Sequence, residues 1–314
     1  MKKINVSAPG SLMLFGEHGV LNEGNALVTA INKRLFVSIK PSKDQKFHIL
    51  SDQFEPLTFL SFKEIGESLD YTPLILKSFK SQIQEPLEIC IQSDFKSTLG
   101  FGSSAALCAS LLTALSYYTT PSFDLNEHTK KELFEKGLGV IQAHQGYGSG
   151  ADLAASLYGG VCYFKTSPSF SLEKLPLSLD LLAIYSGFKT PTKEVIAYVK
   201  RFERAYPKRV EGLYKAIQEQ TQKAKNALIK GDRDALLECI FSSQGSLRKL
   251  GVSHPLIEEI IDLLQSLNQR GAKISGSGMG DCVILFQNEP FLKELTGFEC
   301  YPLKSSLRGC SLDS

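Results

Sequence analysis

Alternation of apolar and polar residues predicts strands near the start of the chain, and segments with helical periodicity follow a glycine-rich stretch near residue 100. The segments with strand patterns are 3–7, 11–15, 34–40 and 87–91. Apolar residues recur at helical spacing over 103–118 and 126–142. A glycine-rich stretch separates the strand at 87–91 from the helix at 103–118. The order strand, loop, helix is typical of phosphate-binding sites.

Helical periodicity dominates the second half of the chain, over 192–205, 210–229, 232–247 and 255–269. Further segments with strand patterns are 161–164, 181–185, 272–275 and 282–286. A connection rich in Ser and Pro, residues 166–171, follows the first of these strands. We place a domain boundary there, which divides the chain into residues 1–170 and 171–314. The pattern predicts an α+β fold with a ligand in the cleft between two domains.

Composition and charge narrow the class of protein. The 314 residues are 43% hydrophobic and 22% charged, an ordinary globular balance, and the chain is long enough for two domains. A net charge of +2 and the lack of a basic, aromatic stripe argue against a nucleic-acid partner. No apolar run suits a signal peptide or a membrane span, and the seven cysteines form no Cys-x-x-Cys pair. We therefore expect a cytoplasmic protein with reduced thiols and no membrane partner. A homodimer is compatible with the sequence.

Three glycine-rich loops are the most informative feature of the chain. They span 98–106, 146–152 and 273–281, each beside a predicted strand or helix. Glycines let the backbone approach a ligand closely, and the unpaired N–H groups of a helix N-terminus attract phosphate. A turn that ends in a serine N-cap explains the first loop equally well when that loop is taken alone. The three loops together favour one nucleotide ligand, although the chain has neither the P-loop lysine nor the Gly-x-Gly-x-x-Gly pattern.

Asp152 closes the second glycine loop and is the best candidate for a catalytic carboxylate. Beside a phosphate donor, a carboxylate there would accept the proton of an attacking hydroxyl or orient its oxygen. Ser104, in the first loop, is a candidate Mg²⁺ ligand, because a hydroxyl beside a phosphate-binding loop commonly holds that ion. For both residues the alternative is an ordinary helix N-cap.

Two polar clusters are candidates for substrate binding. Glu17 and His18 follow a predicted strand, where the pair would hydrogen-bond a hydroxylated or carboxylated substrate. A lone histidine, however, is more often structural than functional. Lys189 and Thr190 lie in a polar loop before a predicted helix, where Lys189 would bind an anion. A plain helix start with Thr192 as N-cap is the alternative for that loop.

Three stretches of the sequence resemble the motifs of the GHMP kinase superfamily, in the order that the family has them. They are Ala8-Pro9-Gly10 through Gly16-Glu17-His18, then Leu99 through Ala106, then Ile274 through Gly280. Within the superfamily the chain looks like the isoprenoid branch around mevalonate kinase, because Gly19-Val20-Leu21 departs from the galactokinase pattern. The resemblance covers nearly the whole chain. It implies a two-domain kinase fold with an N-terminal mixed α/β domain, a helix-rich, ferredoxin-like C-terminal domain and an active site in the cleft.

The resemblance also implies a role for each candidate residue. The chain would use ATP and Mg²⁺, with Asp152 as the catalytic aspartate and Ser104 as the metal ligand. Glu17 and His18 would face the substrate, and Lys189 and Thr190 are further candidates for substrate binding. Residues expected to bind the nucleotide are Leu99, Gly100, Phe101, Gly102, Ser103, Ser104, Ala105, Gly276, Ser277 and Gly278.

Two positions depart from the family pattern. The first motif usually continues with a lysine that assists the aspartate, and this chain has Ser11 there. Mevalonate kinases also carry a Mg²⁺-binding glutamate about three helical turns before the aspartate, a place that falls by spacing at Ile141. Either a nearby cation such as Lys189 replaces the lysine, or turnover is slow. The metal would then depend on Ser104, Asp152 and the phosphates.

The acceptor substrate follows less directly from the resemblance. The Gly16-Glu17-His18 motif and the modest chain length favour mevalonate, whereas the Gly280-Asp281-Cys282 ending of the third motif looks more like phosphomevalonate kinase. We expect mevalonate to be the acceptor, with phosphomevalonate as the alternative. A nucleotide-binding homologue that has lost catalysis is the rival from another class.

Overall fold

The computed structural model describes residues 3–286 and 295–313, which form two sheets and nine helices. Residues 1–2, 287–294 and 314 fall within the two predicted domains but lie outside the described ranges. The strands are Ile4–Phe15 (β1), Ala26–Pro41 (β2), Phe47–Ser51 (β3), Leu57–Phe59 (β4), Leu87–Ser93 (β5), Val161–Lys165 (β6), Ser171–Leu175 (β7), Asp180–Tyr185 (β8), Ala272–Ser275 (β9), Cys282–Leu285 (β10), Glu299–Lys304 (β11) and Ser311–Asp313 (β12). The helices are Phe62–Glu67 (α1), Tyr71–Ser78 (α2), Ser103–Thr119 (α3), Glu127–Gln145 (α4), Ala151–Tyr158 (α5), Thr192–Ala205 (α6), Pro207–Lys230 (α7), Arg233–Leu250 (α8) and Pro255–Ser266 (α9).

The first sheet has eight strands and is organised around β2. Its main path runs β12-β1-β2-β5-β3-β4, and β6 pairs with both β2 and β7. The 16 residues of β2 are long enough to pair with β1, β5 and β6 along different parts of their length. Every pair is antiparallel except β3 with β5. Helices α3 and α5 pack on β1 and β2, which buries β1 from Val6 to Phe15.

Helix α3 is the central helix of this part of the chain. Its interior residues are almost all buried, from Ala105 to Ser116, because it lies between the sheet and helices α2, α4 and α5. A helix that is apolar on all sides needs such an enclosed position. The first turn of α3 is therefore held rigidly where the first glycine loop ends.

The second sheet has four antiparallel strands in the order β11-β8-β10-β9 and a hydrophobic core of its own. Helix α8 packs against α7 and β9, and α9 packs against β9 and β10. Strands β9 and β10 form a hairpin, and the third glycine loop is its turn. None of the helices in the described ranges combines the length and the apolarity that a bilayer crossing requires.

Strand β12 returns to the first sheet and pairs with β1 along its outer edge, with Asn5 opposite Asp313. The side chain of Arg34 links β1 to the segment that precedes β12. Its guanidinium donates to the carbonyl oxygens of Ser7 at 2.8 Å, Arg308 at 3.1 Å and Gly309 at 2.9 Å.

Most predicted elements are confirmed, and the differences have local causes. The segments 3–7 and 11–15 form one strand, β1, because Gly10 lets the chain pass the Phe101 carbonyl; a Cβ at Gly10 would lie 2.7 Å from that oxygen. Helix α6 covers the predicted residues, but its N-cap is Pro191 and not Thr192. Strand β7 pairs with β6, so the first sheet extends beyond residue 170. The boundary at that residue stays a prediction.

Candidate active site

A cavity lies where the three glycine loops meet, and its empty volume of about 980 Å³ is open to solvent. Both parts of the chain contribute to its lining. The first part supplies the end of β1, the first turn of α3 and the start of α5, and the second part supplies the third glycine loop and the start of α6. Clefts lined by a few convergent polar groups commonly bind small molecules.

Two helices begin at the cavity, each directly after a glycine in the left-handed region. Gly102 has φ +65° before α3, and Gly150 has φ +80° before α5. In α3 the first intrahelical bond runs from the Ala106 N–H to the Gly102 carbonyl at 2.9 Å. The N–H groups of the preceding turn have no intrahelical acceptor and carry the partial positive charge of a helix N-terminus. This arrangement suits a phosphate group.

Asp152 lies in the first turn of α5 and is partly buried in the wall of the cavity. Ser11 Oγ donates a hydrogen bond to Asp152 Oδ1 at 2.8 Å. Burial raises the pKa of Asp152, and the Ser11 hydrogen bond and the charge of Lys189 lower it by less. The N-cap position of α5 belongs to Gly150, so the N-cap interpretation of Asp152 is wrong.

Ser11 connects this aspartate to the first glycine loop. It lies in β1 with no exposed surface, and its N–H donates to the Phe101 carbonyl at 3.0 Å. A Cβ at Gly102 would lie 2.1 Å from Ser11 Oγ, so only glycine fits beside the serine. The same glycine permits both the left-handed turn into α3 and the contact between Ser11 and Asp152.

A second carboxylate, Asp281, lines the cavity from the end of the third glycine loop. Its side chain is 5% exposed and packs against Gly100, where a Cβ would lie 2.8 Å from the Asp281 Cβ. Burial raises the pKa of Asp281 to about 6; the charge of Lys189 lowers it and that of Asp152 raises it. Lys189 Nζ itself donates to the Ser97 carbonyl at 3.0 Å.

Glu17 lines the cavity but is paired with a lysine from the second sheet. Lys273 Nζ, on β9, donates to Glu17 Oε1 and to the Ile274 carbonyl, and both side chains of the pair are almost fully buried. Burial raises the pKa of Glu17 and lowers that of Lys273, and each partner opposes the shift of the other. Glu17 therefore joins the two sheets.

His18 follows Glu17 and also contacts the third loop. Its Nε2 lies 2.8 Å from the Ser277 carbonyl, so this nitrogen carries the proton and donates. Burial lowers the pKa of His18, which favours the neutral ring. Its φ of +59°, unusual for a residue with a side chain, accompanies this contact.

Ser104 belongs to a chain of neutral polar groups at the start of α3. Its hydroxyl shares a hydrogen bond with Tyr71, and burial raises the pKa of Tyr71 to about 12. The side-chain amide of Gln145, at the end of α4, donates to the same phenol oxygen. Gly102 is the N-cap of α3, so the serine N-cap interpretation of the first loop is wrong.

The structure brings most of the predicted site residues to the cavity. Those that line it are Glu17, His18, Gly100, Gly102, Ser103, Ser104, Ala105, Asp152, Lys189, Gly276 and Ser277. Four predicted residues lie behind the wall: Leu99, Phe101, Thr190 and Gly278. Leu99 and Phe101 are buried, Thr190 Oγ1 donates to the Met279 carbonyl, and Gly278 packs on Val252. For all of these residues a ligand-binding role stays a prediction.

Polar residues at the site without a predicted role include Tyr71, Lys273 and Asp281. The sequence held a signal for two of them. Lys273 is a lysine between two apolar residues of a predicted strand, and Asp281 follows three glycines that alternate with other residues. Tyr71 comes from a helix distant in sequence, and nothing in its neighbourhood marks it.

The residues present fit a magnesium ion held largely by phosphates. Mg²⁺ prefers hard oxygen donors and typically keeps several waters while it binds one or two carboxylates and substrate phosphates. Ser104, Asp152 and Asp281 offer such oxygens at the cavity, and Asp281 Oδ1 has no hydrogen-bond partner among the described residues. In the described ranges no cluster of three or more His, Cys, Asp or Glu residues would hold a metal without further ligands.

Comparison with known proteins agrees with this geometry. Family models match three segments: "GHMP kinases N terminal domain" over residues 71–160, "GHMP kinases C terminal" over 224–290, and "Galactokinase galactose-binding signature" over 2–41. The mevalonate kinase of Archaeoglobus fulgidus is 31% identical over 310 residues, which cover 96% of this chain and 98% of the relative. The chain belongs to the GHMP kinase family.

Other GHMP kinases and solved structures extend the comparison. The mevalonate kinase of Saccharolobus solfataricus is 27% identical over 293 residues, or 91% of this chain and 90% of the relative. A Listeria innocua protein superimposes with a TM-score of 0.84 at 21% identity, covering 100% of both chains. The Leishmania major mevalonate kinase in complex with R-mevalonate does so with a TM-score of 0.77 at 21% identity, covering 97% of this chain and 96% of that one. As a member of the GHMP kinase family, the chain is an ATP-dependent kinase with a mixed α/β, two-domain fold.

Proposed function

We propose that this kinase transfers the γ-phosphoryl group of ATP to the primary hydroxyl of mevalonate. The observation that carries the proposal is the position of Asp152, which lines the cavity from the first turn of α5, and the first turn of α3 lines the same cavity. The full-length similarity to proteins named mevalonate kinase supports the choice of acceptor.

In the proposed mechanism the first glycine loop and the N-terminus of α3 bind the triphosphate through backbone N–H groups. Asp152 accepts a hydrogen bond from the acceptor hydroxyl and orients its oxygen towards the γ-phosphorus. As the new O–P bond forms and the bond to ADP breaks, the hydroxyl proton passes to Asp152. The raised pKa of this carboxyl makes it a better proton acceptor than an exposed aspartate. Magnesium bound with the nucleotide would neutralise charge on the phosphates.

Ser11 would keep Asp152 in position for this step. Its hydroxyl occupies one carboxylate oxygen, Oδ1, which leaves the other oxygen for the acceptor. A serine supplies no positive charge, so the charge that develops in the transition state falls to the helix N-termini, the metal and Lys189. Lys189 lines the cavity, and its positive charge lowers the pKa of both Asp152 and Asp281.

The charge of the cavity favours mevalonate over phosphomevalonate. Among the described residues that line it, Lys189 is the only lysine or arginine, and it lies with two acids, Asp152 and Asp281. A third acid, Glu17, is balanced by Lys273. His18 is held neutral by burial. An acceptor that already carries a phosphate would place more negative charge beside the triphosphate than one lysine offsets. Mevalonate, with a single carboxylate, adds less.

A coupled assay of ADP release tests the proposal directly. The purified protein, with ATP and Mg²⁺, is supplied in turn with mevalonate, phosphomevalonate, galactose and homoserine. We expect turnover with mevalonate at a kcat/KM at least a hundredfold above that for the other acceptors. Galactose belongs in the panel because the galactose-binding signature matches residues 2–41.

Each of the remaining outcomes overturns the proposal in a defined way. Turnover with phosphomevalonate alone would identify a phosphomevalonate kinase, and turnover with galactose alone would identify a sugar kinase. ATP binding without turnover of any acceptor would indicate a nucleotide-binding homologue that has lost catalysis.

A further inference from the structure

The backbone around Asp281 fixes the direction of its carboxylate. The Asp281 N–H donates to the Phe188 carbonyl at 3.0 Å, and its own carbonyl accepts from the Ser186 N–H at 2.9 Å. The residue has φ +61°, a left-handed conformation that non-glycine residues adopt at a cost. These constraints hold the side chain against Gly100 of the first glycine loop.

The carboxylate of Asp281 is built into the cavity wall, and its buried oxygen Oδ1 has no hydrogen-bond partner among the described residues. The side chain is 5% exposed. Buried polar groups without a partner are rare in proteins, because they lose their interactions with water and gain nothing in return. An oxygen of this kind at a ligand cavity indicates that the ligand supplies the partner.

A cation explains the free oxygen better than an anion does. Asp281 packs on the loop that binds the triphosphate, and a phosphate there would repel the carboxylate unless positive charge lay between them. Lys189 acts on Asp281 only through its charge, because its ammonium donates to the Ser97 carbonyl and forms no hydrogen bond with this carboxylate. A divalent cation that accompanies the nucleotide would meet the need of both anions.

Helix α4 supplies no carboxylate for such an ion. Its residues at the cavity are Ile141 and Gln145, and the Gln145 amide donates to Tyr71, which hydrogen-bonds Ser104. Ser104 is therefore surrounded on that side by neutral groups. Asp152 already accepts from Ser11 and faces the acceptor in the proposed mechanism. Among the described residues, Asp281 is the lining carboxylate that has a buried oxygen without a hydrogen-bond donor and has no role towards the acceptor.

We propose that the carboxylate of Asp281 binds the divalent cation that accompanies the nucleotide phosphates. The inference rests on the proposed transfer of phosphate from a nucleotide–metal complex. It assigns Asp281 a role in metal binding that is separate from the role of Asp152 towards the acceptor.

Binding of Mn²⁺, a paramagnetic substitute for Mg²⁺, tests the inference without turnover. Free Mn²⁺ is measured by electron paramagnetic resonance during titration of the full chain with MnCl₂ at saturating ADP and without any acceptor. We expect Asp281→Asn to weaken Mn²⁺ binding to the protein–ADP complex at least tenfold. Asparagine tolerates the left-handed conformation, and Asp281→Gly, which tolerates it better, is the second variant in case the first folds poorly. Both should show the same loss.

The controls separate metal binding from general damage. Asp234→Asn removes an exposed carboxylate from the first turn of α8 and should leave Mn²⁺ affinity unchanged. ADP affinity in the presence of EDTA should be alike in the wild type and both Asp281 variants. Mn²⁺ affinity within twofold of the wild type in the folded Asp281 variants would overturn the inference. It would also be overturned if Ser104→Ala weakened Mn²⁺ binding and the Asp281 variants did not, or if the Asp281 variants changed only the KM of the acceptor in a separate kinetic assay. Failure of the proposed function looks different, because the wild type would then bind Mn²⁺ and ADP normally but not phosphorylate mevalonate.

Discussion

The buried pair between Glu17 and Lys273 gives the most quantitative prediction. Lys273 has no exposed surface and Glu17 is 2% exposed, and the pair joins the end of β1 to the second sheet. Lys273→Met removes the cation and leaves a buried acid beside an apolar side chain. Glu17→Gln combined with Lys273→Met removes both charges while roughly keeping the volume of the pair.

The magnitude follows from the cost of an unpaired buried charge. Removal of one partner from such a pair typically costs about 3–5 kcal/mol of folding free energy, whereas replacement of both partners by neutral groups is often nearly neutral. We therefore expect Lys273→Met to lower the free energy of unfolding by about 3–5 kcal/mol at pH 7, and the double variant to recover most of that loss. Burial raises the pKa of Glu17 above its ordinary value of 4.5, so the unfolded state releases this proton first as pH rises. The loss in Lys273→Met should shrink as pH falls through the raised pKa towards 4.5 and remain full at higher pH.

Urea unfolding followed by far-UV circular dichroism measures these differences, since the chain has no tryptophan to report by fluorescence. The exposed pair of Glu211 and Lys215 on α7, with Nζ 2.8 Å from Oε1, is the matched control, and Lys215→Met should change stability little. The reasoning is refuted if Lys273→Met is within 1 kcal/mol of the wild type, or if the double variant is as unstable as the sum of the two single ones.

Three further predictions concern the cavity. Asp152→Asn should lower kcat by about 10²–10⁴-fold with little change in ATP affinity, and near-normal turnover would remove its role as proton acceptor. Ser11→Ala removes a hydrogen bond that lowers the pKa of Asp152, so the acid limb of the pH profile of kcat/KM should move to higher pH; an unmoved or lower limb would contradict the assigned contact. Gly102→Ala places a Cβ 2.1 Å from Ser11 Oγ at φ +65° and should weaken ATP binding, measured by calorimetry, at least tenfold. Gly139→Ala is its control, because a Cβ at this exposed site in α4 would meet no atom within 4 Å. It should raise the free energy of unfolding by about 0.5–1 kcal/mol.

Periodicity predicted the long helices and the strands β9 and β10 well, because their patterns are strong and local. It did not predict β3, β4 or β12, which are three to five residues long. Such short strands gain their stability from partners elsewhere in the chain, and no local pattern specifies those partners. Strand β12 pairs with residues about three hundred positions earlier.

The part of the site formed by the glycine-rich loops and the acid beside them was predictable from the sequence. The glycine loops and Asp152 converge as expected, because each belongs to a motif that is contiguous in sequence. The pairing of Glu17 with Lys273 and the contact of Ser11 with Asp152 bridge 256 and 141 positions in the chain. Partners at such distances in sequence depend on how the two sheets pack, and one sequence does not reveal that packing.

The return of β12 to the edge of β1 has a consequence for synthesis. The outer edge of β1 gains its neighbour only when residues 311–313 have left the ribosome, after all the helices have been made. Until then a nascent chain presents unsatisfied backbone donors and acceptors along its first strand, a surface on which other chains can add. The late arrival of residues 311–313, rather than early folding, is what protects that edge.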